Sequence, residues 1–275
     1  MTSTTLTSFL IFTTLVSSAC PPVHLFGARG TNEKPGYGFL AGGFVNETLK
    51  AIPGSTAEPI IYPANGSFDP VDDVYRASVR AGVANLTKQI TTFSQECPET
   101  PLVLIGYSQG AKIFDDALCG GGDPFDDINS TEPTIAQFNI KAVLLPGDDR
   151  FTVGEPFHVG NATHGGLDPR PSSQLRCGNY TDAIQLYCNA NDEWCANGTS
   201  LAVHLSYYPQ YAKMGLEFIQ SRLAMNGTNS SSPSSTGQAM PNGTGYVSAA
   251  HSRFEIAGWM SWLSFMAYLA MFLGA

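Results

Sequence analysis

Leu102-Val103-Leu104-Ile105-Gly106-Tyr107-Ser108-Gln109-Gly110-Ala111 opens as four consecutive apolar residues and runs straight into a segment of helical character. A short, unbroken apolar run closed by glycine is the pattern of a strand buried on both faces of a parallel sheet. Residues 111–118 then predict a helix that stops at Gly120-Gly121-Gly122. The five residues between strand and helix read G-x-S-x-G. In a strand-turn-helix setting that motif is a nucleophile elbow, a turn so tight that a Cβ two residues to either side of the serine would clash. Ser108 is therefore left exposed at the carboxyl end of the sheet. The N–H groups opening the helix, that of Gln109 first, face whatever charge develops beside it. The plainer alternative is an ordinary turn whose serine caps the helix.

Working outward, residues 23–26 form a short strand ended by Gly27-Ala28-Arg29-Gly30, and residues 39–51 a helix before Pro53-Gly54. Ile60-Ile61-Tyr62, before Pro63, reads as a second strand. Val79, Val83, Leu86, Ile90 and Phe93 fall at helical spacing, so one long helix is expected over residues 71–96, closed by Pro98 and Pro101. Residues 142–145 give another buried strand. A short strand near Leu186 and a helix over about residues 212–224 follow. Strands alternating with helices specify an α/β fold with a parallel sheet covered on both faces.

A serine nucleophile needs a base, and an imidazole base needs a carboxylate to fix its tautomer. Of five histidines, His251 lies near the chain end, His24 is inside a strand run, and His158 and His164 lie in a glycine-rich loop. His204 comes after all the central strands. The chain order serine, acid, histidine expected of this architecture favours it. Asp192 is the candidate acid, since it lies in CNANDEWC, between Cys188 and Cys195, where a bridge would make a tight loop around the carboxylate. Glu193, Asp182 and Asp168 compete for that role.

Only 13% of the 275 residues are charged and 43% are hydrophobic, with 28 glycines and 18 prolines, which describes a compact, loop-rich globular chain. The net charge of -9 and the lack of any basic run argue against a nucleic-acid partner. Residues 1–19 read as a secretory signal peptide, an apolar stretch followed by Ser17-Ser18-Ala19. Export agrees with six remaining cysteines, an even number suited to disulfides but open to fifteen pairings. It also agrees with ten N-x-[ST] sequons, at Asn46, Asn65, Asn85, Asn129, Asn161, Asn179, Asn197, Asn226, Asn229 and Asn242. Residues 225–250 are a Ser/Gly/Asn-rich stalk. Residues 251–275 form a short spacer and an uncharged apolar tail with no basic flank, the pattern of a removed GPI-attachment signal, with Asn242, Gly243 or Ser248 as the attachment residue. The membrane is thus expected as a partner only through a lipid anchor, at the outer cell surface. Residues 20–224 remain as one folded domain, expected to be a monomer.

Several stretches together carry a resemblance: Cys20-Pro21 followed by HLFGARGTNEKPGYG (24–38), IGYSQGAKIFDDALCGGGDP (105–124), PFHVGNATHGGLDPRP (156–171), and CNANDEWC with His204 twelve residues after Asp192. Over about residues 20–220 the chain resembles the fungal secreted carbohydrate esterases of the cutinase and acetylxylan esterase group. The resemblance implies a small, lidless α/β-hydrolase with a five-stranded parallel sheet and a triad of Ser108, Asp192 and His204. It implies an oxyanion hole from Thr31 and Gln109, and bridges Cys20–Cys97, Cys119–Cys177 and Cys188–Cys195. Thr31 has no support from spacing alone. Two departures stand out. Gly147-Asp148-Asp149-Arg150 replaces the Gly-Asp-Pro-Arg frequent among relatives, and Ala196 follows Cys195 where many relatives have a second cysteine, with Ala162 where its partner is expected.

The implied chemistry is two-step acyl transfer, with no metal or organic cofactor called for and activity lost as His204 protonates in acid. The glycine-rich loop after Leu145 leans toward an acetylxylan esterase acting on an acetylated polysaccharide. A cutinase-like esterase on longer acyl chains is the nearer rival. An idle hydrolase fold serving as a cell-surface binding protein is the rival of a different class.

Overall fold

The computed structural model describes residues 19–67 and 73–225. The chain divides into two units, Met1–Ser231 and Ser232–Ala275, and the second lies wholly outside the described residues, as do nearly all of the expected signal peptide, stalk and tail.

The elements follow in the order β1 (His24–Ala28), α1 (Leu40–Ala51), β2 (Thr56–Pro59), α2 (Asp73–Glu96), β3 (Leu102–Gly106), α3 (Gln109–Cys119), β4 (Ile140–Pro146), β5 (His158–Val159), β6 (Ile184–Tyr187), α4 (Leu201–His204) and α5 (Tyr207–Ala224). Every strand pair is parallel, in the order β2-β1-β3-β4-β6-β5. The unbroken apolar runs occupy the centre: Val103, Leu104 and Ile105 of β3 and Ala142 to Leu145 of β4 are fully buried. Helix α1 packs with α5, and α2 with α3, so the sheet is covered on both faces. The close approach of α5 depends on Gly215, where a Cβ would meet Phe44 at 2.9 Å and Leu144 at 3.0 Å.

Three expectations need correction. The sheet has six strands rather than five, because the loop after β4 adds the two-residue β5 alongside β6. The second strand is Thr56–Pro59 and not Ile60-Ile61-Tyr62. Its apolar successors leave the sheet after Ile60 N–H bonds to Gly27 O (2.8 Å), and they divide between core and solvent, with Tyr62 buried and Ile61 exposed. Helix α5 starts five residues earlier than its apolar pattern suggested, since Pro209 falls in the first turn, where a missing N–H costs nothing. The buried histidine expected in β1 is there: His24 Nδ1 pairs with Thr56 Oγ1 (2.6 Å) and its ring stacks on Phe93.

The three disulfides pair as the resemblance implied, Cys20–Cys97, Cys119–Cys177 and Cys188–Cys195, and none of the six cysteines is free. Bridges of this number belong to an oxidising compartment.

Candidate active site

The strand order reverses at β1, since β2 is added on one side of it and β3 on the other. In open parallel sheets the crevice beyond the strand ends at such a switch point is where ligands bind. Register sets what meets there. Ala28 lies opposite Gly106, so the loop at Thr31 and the turn at Ser108 leave the sheet side by side. Pro146 of β4 lies opposite Tyr187 of β6, which brings the loop after Cys188 to the same end.

Ser108 sits at the elbow with φ 54° and ψ −122°, a conformation that a non-glycine residue holds only where its surroundings enforce it. They do so through the two glycines. A Cβ on Gly106 would lie 2.2 Å from Gly110 O, and one on Gly110 would lie 2.3 Å from Ala28 O. Ser108 N–H is fixed to Pro146 O (2.9 Å). Its hydroxyl makes no capping bond to α3, so the ordinary work of a serine at a helix start is not what it does here.

Gln109 opens α3, and its N–H has no partner within the helix. Its side chain is clamped. Ser78 Oγ donates to Oε1 (2.8 Å), and Nε2 donates to Asn65 O (3.1 Å) and Thr31 Oγ1 (3.4 Å). The Thr31 loop is equally constrained. The Arg29 guanidinium donates to the carbonyls of Glu33, Tyr62 and Pro63 (2.7–2.9 Å), while Glu33 accepts from the N–H groups of Gly30 and Phe39 (2.6 Å each). The structure thus brings Thr31 and Gln109 together.

Asp192 is fully buried. Its Oδ1 accepts from the N–H groups of Trp194 (2.8 Å) and Cys195 (2.9 Å), inside the loop closed by the Cys188–Cys195 bridge. Its Oδ2 accepts from Tyr207 Oη (2.6 Å) and pairs with His204 Nδ1 (2.9 Å). Burial opposes the charge on this carboxylate, but the bonds from His204, Tyr207 and the Cys195 N–H outweigh it and hold its pKa below the ordinary value. The His204 ring lies between Trp194 (4.4 Å between centroids) and Tyr107 (5.0 Å), and Tyr107 Oη donates to His204 O (3.2 Å). The residue before Ser108 is thereby tied to the residue that pairs with Asp192. Close beneath the imidazole, a Cβ on Gly147 (φ +72°) would come within 2.7 Å of Cε1.

The rival residues lie elsewhere. Asp168 pairs with Lys112 (2.8 Å) and Arg150 (3.1 Å), Asp182 is exposed, and no bond joins Glu193 to His204. His158 Nε2 faces Cys188 O (2.9 Å) and His164 Nδ1 faces Thr163 Oγ1 (3.2 Å), while His251 is outside the described residues. Sequence reasoning missed Tyr207, Tyr107 and Trp194. Each is adjacent in sequence to a candidate residue or within three of one, but nothing in an isolated aromatic says which way it turns.

A second buried polar system lies one helical turn behind Ser108. Lys112 Nζ, fully buried, lies 2.6 Å from Asp126, 2.8 Å from Asp168, 3.4 Å from Asp123 and 3.6 Å from Asp149. Asp123, Asp126 and Asp168 converge as cation ligands would, and the Lys112 ammonium supplies the positive charge among them. Asp149, the departure in the Gly147–Arg150 segment, also accepts from Tyr75 Oη (3.2 Å) and so belongs to this cage.

A parallel α/β sheet with an elbow serine and a buried Asp–His pair beyond its strand ends defines an α/β-hydrolase. Residues 19–223 match the Cutinase family model, and the chain belongs to that family. It is 40% identical to acetylxylan esterase 2 of Talaromyces purpureogenus over 209 residues, 74% of this chain and 88% of that protein. It is 41% identical to cutinase 11 of Verticillium dahliae over 214 residues, 76% and 72% of the two. The catalytic core domain of acetyl xylan esterase from Trichoderma reesei superposes with a TM-score of 0.69 at 40% identity, covering 74% of this chain and 100% of that one. The protein is a carboxylic-ester hydrolase.

Proposed function

We propose that the protein removes acetyl groups from acetylated xylan, a plant cell-wall polysaccharide, through an acyl-enzyme on Ser108. The observation that supports the mechanism is the buried Asp192–His204 pair, tied through Tyr107 to the turn that carries a serine whose hydroxyl is not spent on capping. Asp192 holds Nδ1, leaving Nε2 as the basic nitrogen. His204 takes the proton of Ser108 as Oγ bonds to the ester carbonyl carbon. The carbonyl π electrons move to oxygen, and the N–H groups of Thr31 and Gln109, with the Thr31 hydroxyl, receive that charge. Collapse breaks the bond to the alkoxy oxygen, which leaves with the proton from His204. Water, deprotonated by the same base, then releases acetate and restores Ser108. Asp192 stays ionised throughout and stabilises the imidazolium.

The acetyl preference rests on the relatives named acetylxylan esterases. Preference for longer acyl chains is the second reading. Cutinase 11 and the exposed Leu201 and Leu205 on either side of His204 favour it, since apolar side chains beside the base would suit an alkyl chain. The outer cell surface is the proposed location, with residues 1–19 removed on export and a lipid anchor attached in residues 225–250. Acid release from acetylated xylan, p-nitrophenyl acetate and a long-chain p-nitrophenyl ester, with Ser108→Ala as control, tests the substrate and the mechanism. Acetate released from xylan and lost in the variant supports the main reading. Faster turnover of the long chain moves it to the second. Ester hydrolysis that survives Ser108→Ala overturns the mechanism.

A further inference from the structure

Seven of the ten sequons fall among the described residues, and their asparagines are not equivalent. Asn85 Nδ2 donates to Ile61 O (2.9 Å) and Asn161 Oδ1 accepts from Ala190 N–H (2.8 Å), so both amides are used by the fold. Asn65 is exposed and is held by its backbone instead. Its N–H donates to Ser78 Oγ (3.0 Å), and its carbonyl accepts from Gln109 Nε2 (3.1 Å). Asn32, beside Thr31, grips the same segment from the other side. Its N–H donates to Ala64 O (2.6 Å) and its Nδ2 to Gly66 O (2.7 Å). A Cβ on Gly66 would come within 3.0 Å of Thr31 Cγ2. The sequon Asn65-Gly66-Ser67 is therefore packed directly on the two residues proposed as oxyanion donors, with its main chain fixed and Asn65 and Ser67 among the exposed residues.

We propose that Asn65 carries an N-linked glycan that stands at the oxyanion edge of the Ser108 site and hinders polymeric esters more than small ones. The proposal rests on the esterase reading of that site. Attachment forms a bond from Asn65 Nδ2 to the anomeric carbon of a lipid-linked oligosaccharide donor. The pyrophosphate-linked lipid leaves, and one amide proton passes to solvent. None of the main-chain bonds to Gln109, Ser78 or Asn32 is broken. A glycan is bulky and strongly hydrated. A small ester reaches Ser108 past it, whereas a polysaccharide must lay its chain across the rim and surrender the volume the glycan sweeps. The obstruction acts before chemistry, so it raises KM for the polymer and leaves kcat unchanged.

The full chain, produced in a glycosylating yeast, tests this with Ser67→Ala, which destroys the sequon, and Ser67→Thr, which keeps it. Peptide mass spectrometry reads occupancy at Asn65, and kcat/KM is compared on p-nitrophenyl acetate and on polymeric acetylated xylan. Expected are an occupied Asn65 in the wild type and in Ser67→Thr, and an unoccupied one in Ser67→Ala. Small-ester turnover should be equal in all three, with polymer kcat/KM raised about threefold or more in Ser67→Ala alone through KM. An unmodified Asn65 in the wild type, or intact small-ester turnover with an unchanged polymer-to-small ratio in Ser67→Ala, overturns this proposal alone. No turnover of p-nitrophenyl acetate by the wild type overturns the esterase reading and this proposal with it.

Discussion

Replacing Asp126 by asparagine removes one titrating group from a buried cluster with too many of them. Lys112, Arg150 and Arg170 share one cluster with eight carboxyl groups, those of Asp115, Asp116, Asp123, Asp126, Asp148, Asp149, Glu155 and Asp168. Three cations cannot balance eight carboxylates, seven of them buried and Asp168 half-buried, so some of the carboxyls keep their protons in the folded state. Burial and the charge of Asp123 push Asp126 from 3.8 up to about 7, against the pull of Lys112. Burial and Asp115 push Glu155 up to about 8. The sign of the linkage follows. Below 3.8 Asp126 is protonated in both states and costs nothing. Between 3.8 and about 7 the folded chain keeps a proton that the unfolded chain releases, so stability falls as pH rises, by about 1.4 kcal/mol per pH unit. From about pH 5 to about pH 8 the loss from this one group comes to about 2–3 kcal/mol. Asparagine has the shape of the protonated acid and does not titrate. Asp126→Asn should therefore gain about 2–3 kcal/mol over the wild type between those two pH values. Urea unfolding with disulfides intact, followed at several pH values, measures the difference. Parallel stability curves for the two proteins would refute the reasoning and show that Asp126 is ionised in the folded state.

Two substitutions probe the site itself. Tyr207→Phe removes the 2.6 Å donor to Asp192 without changing the packed ring. A charge-assisted bond of this kind is worth roughly 1.5–3 kcal/mol, so kcat/KM should fall about tenfold or more. An unchanged kcat/KM in a folded Tyr207→Phe variant would make Tyr207 merely structural. Gly147→Ala drives a methyl toward His204 Cε1 at a backbone angle that favours glycine. Displacing the base should lower kcat by roughly 10²-fold while circular dichroism shows the fold retained, and wild-type kcat would show that the imidazole does not depend on that contact.

The elbow was legible because everything it needs is local. An apolar strand, two glycines and a helix start within ten residues, and the steric demand between Gly106 and Gly110 is itself a contact four residues long. Asp192 was legible for a similar reason, since Cys188 and Cys195 close a loop short enough to fix its carboxylate. The second strand was misplaced because Ile60-Ile61-Tyr62 has strand composition, whereas the ladder to β1 depends on register and falls on Thr56–Pro59.

By itself the sequence determined the fold class and the candidate nucleophile, acid and base. It did so because parallel strands, tight turns and closed loops leave a local pattern. Tertiary structure alone decided which distant groups meet. Thr31 reaches the site because the strand order reverses at β1, which sets the loops after β1 and β3 beside each other. Tyr207 reaches Asp192, and Lys112 its ring of aspartates, by the same kind of cause. Partners far apart in the chain are chosen by packing and by the need of buried charge for a partner, and neither is written in the spacing of residues along it.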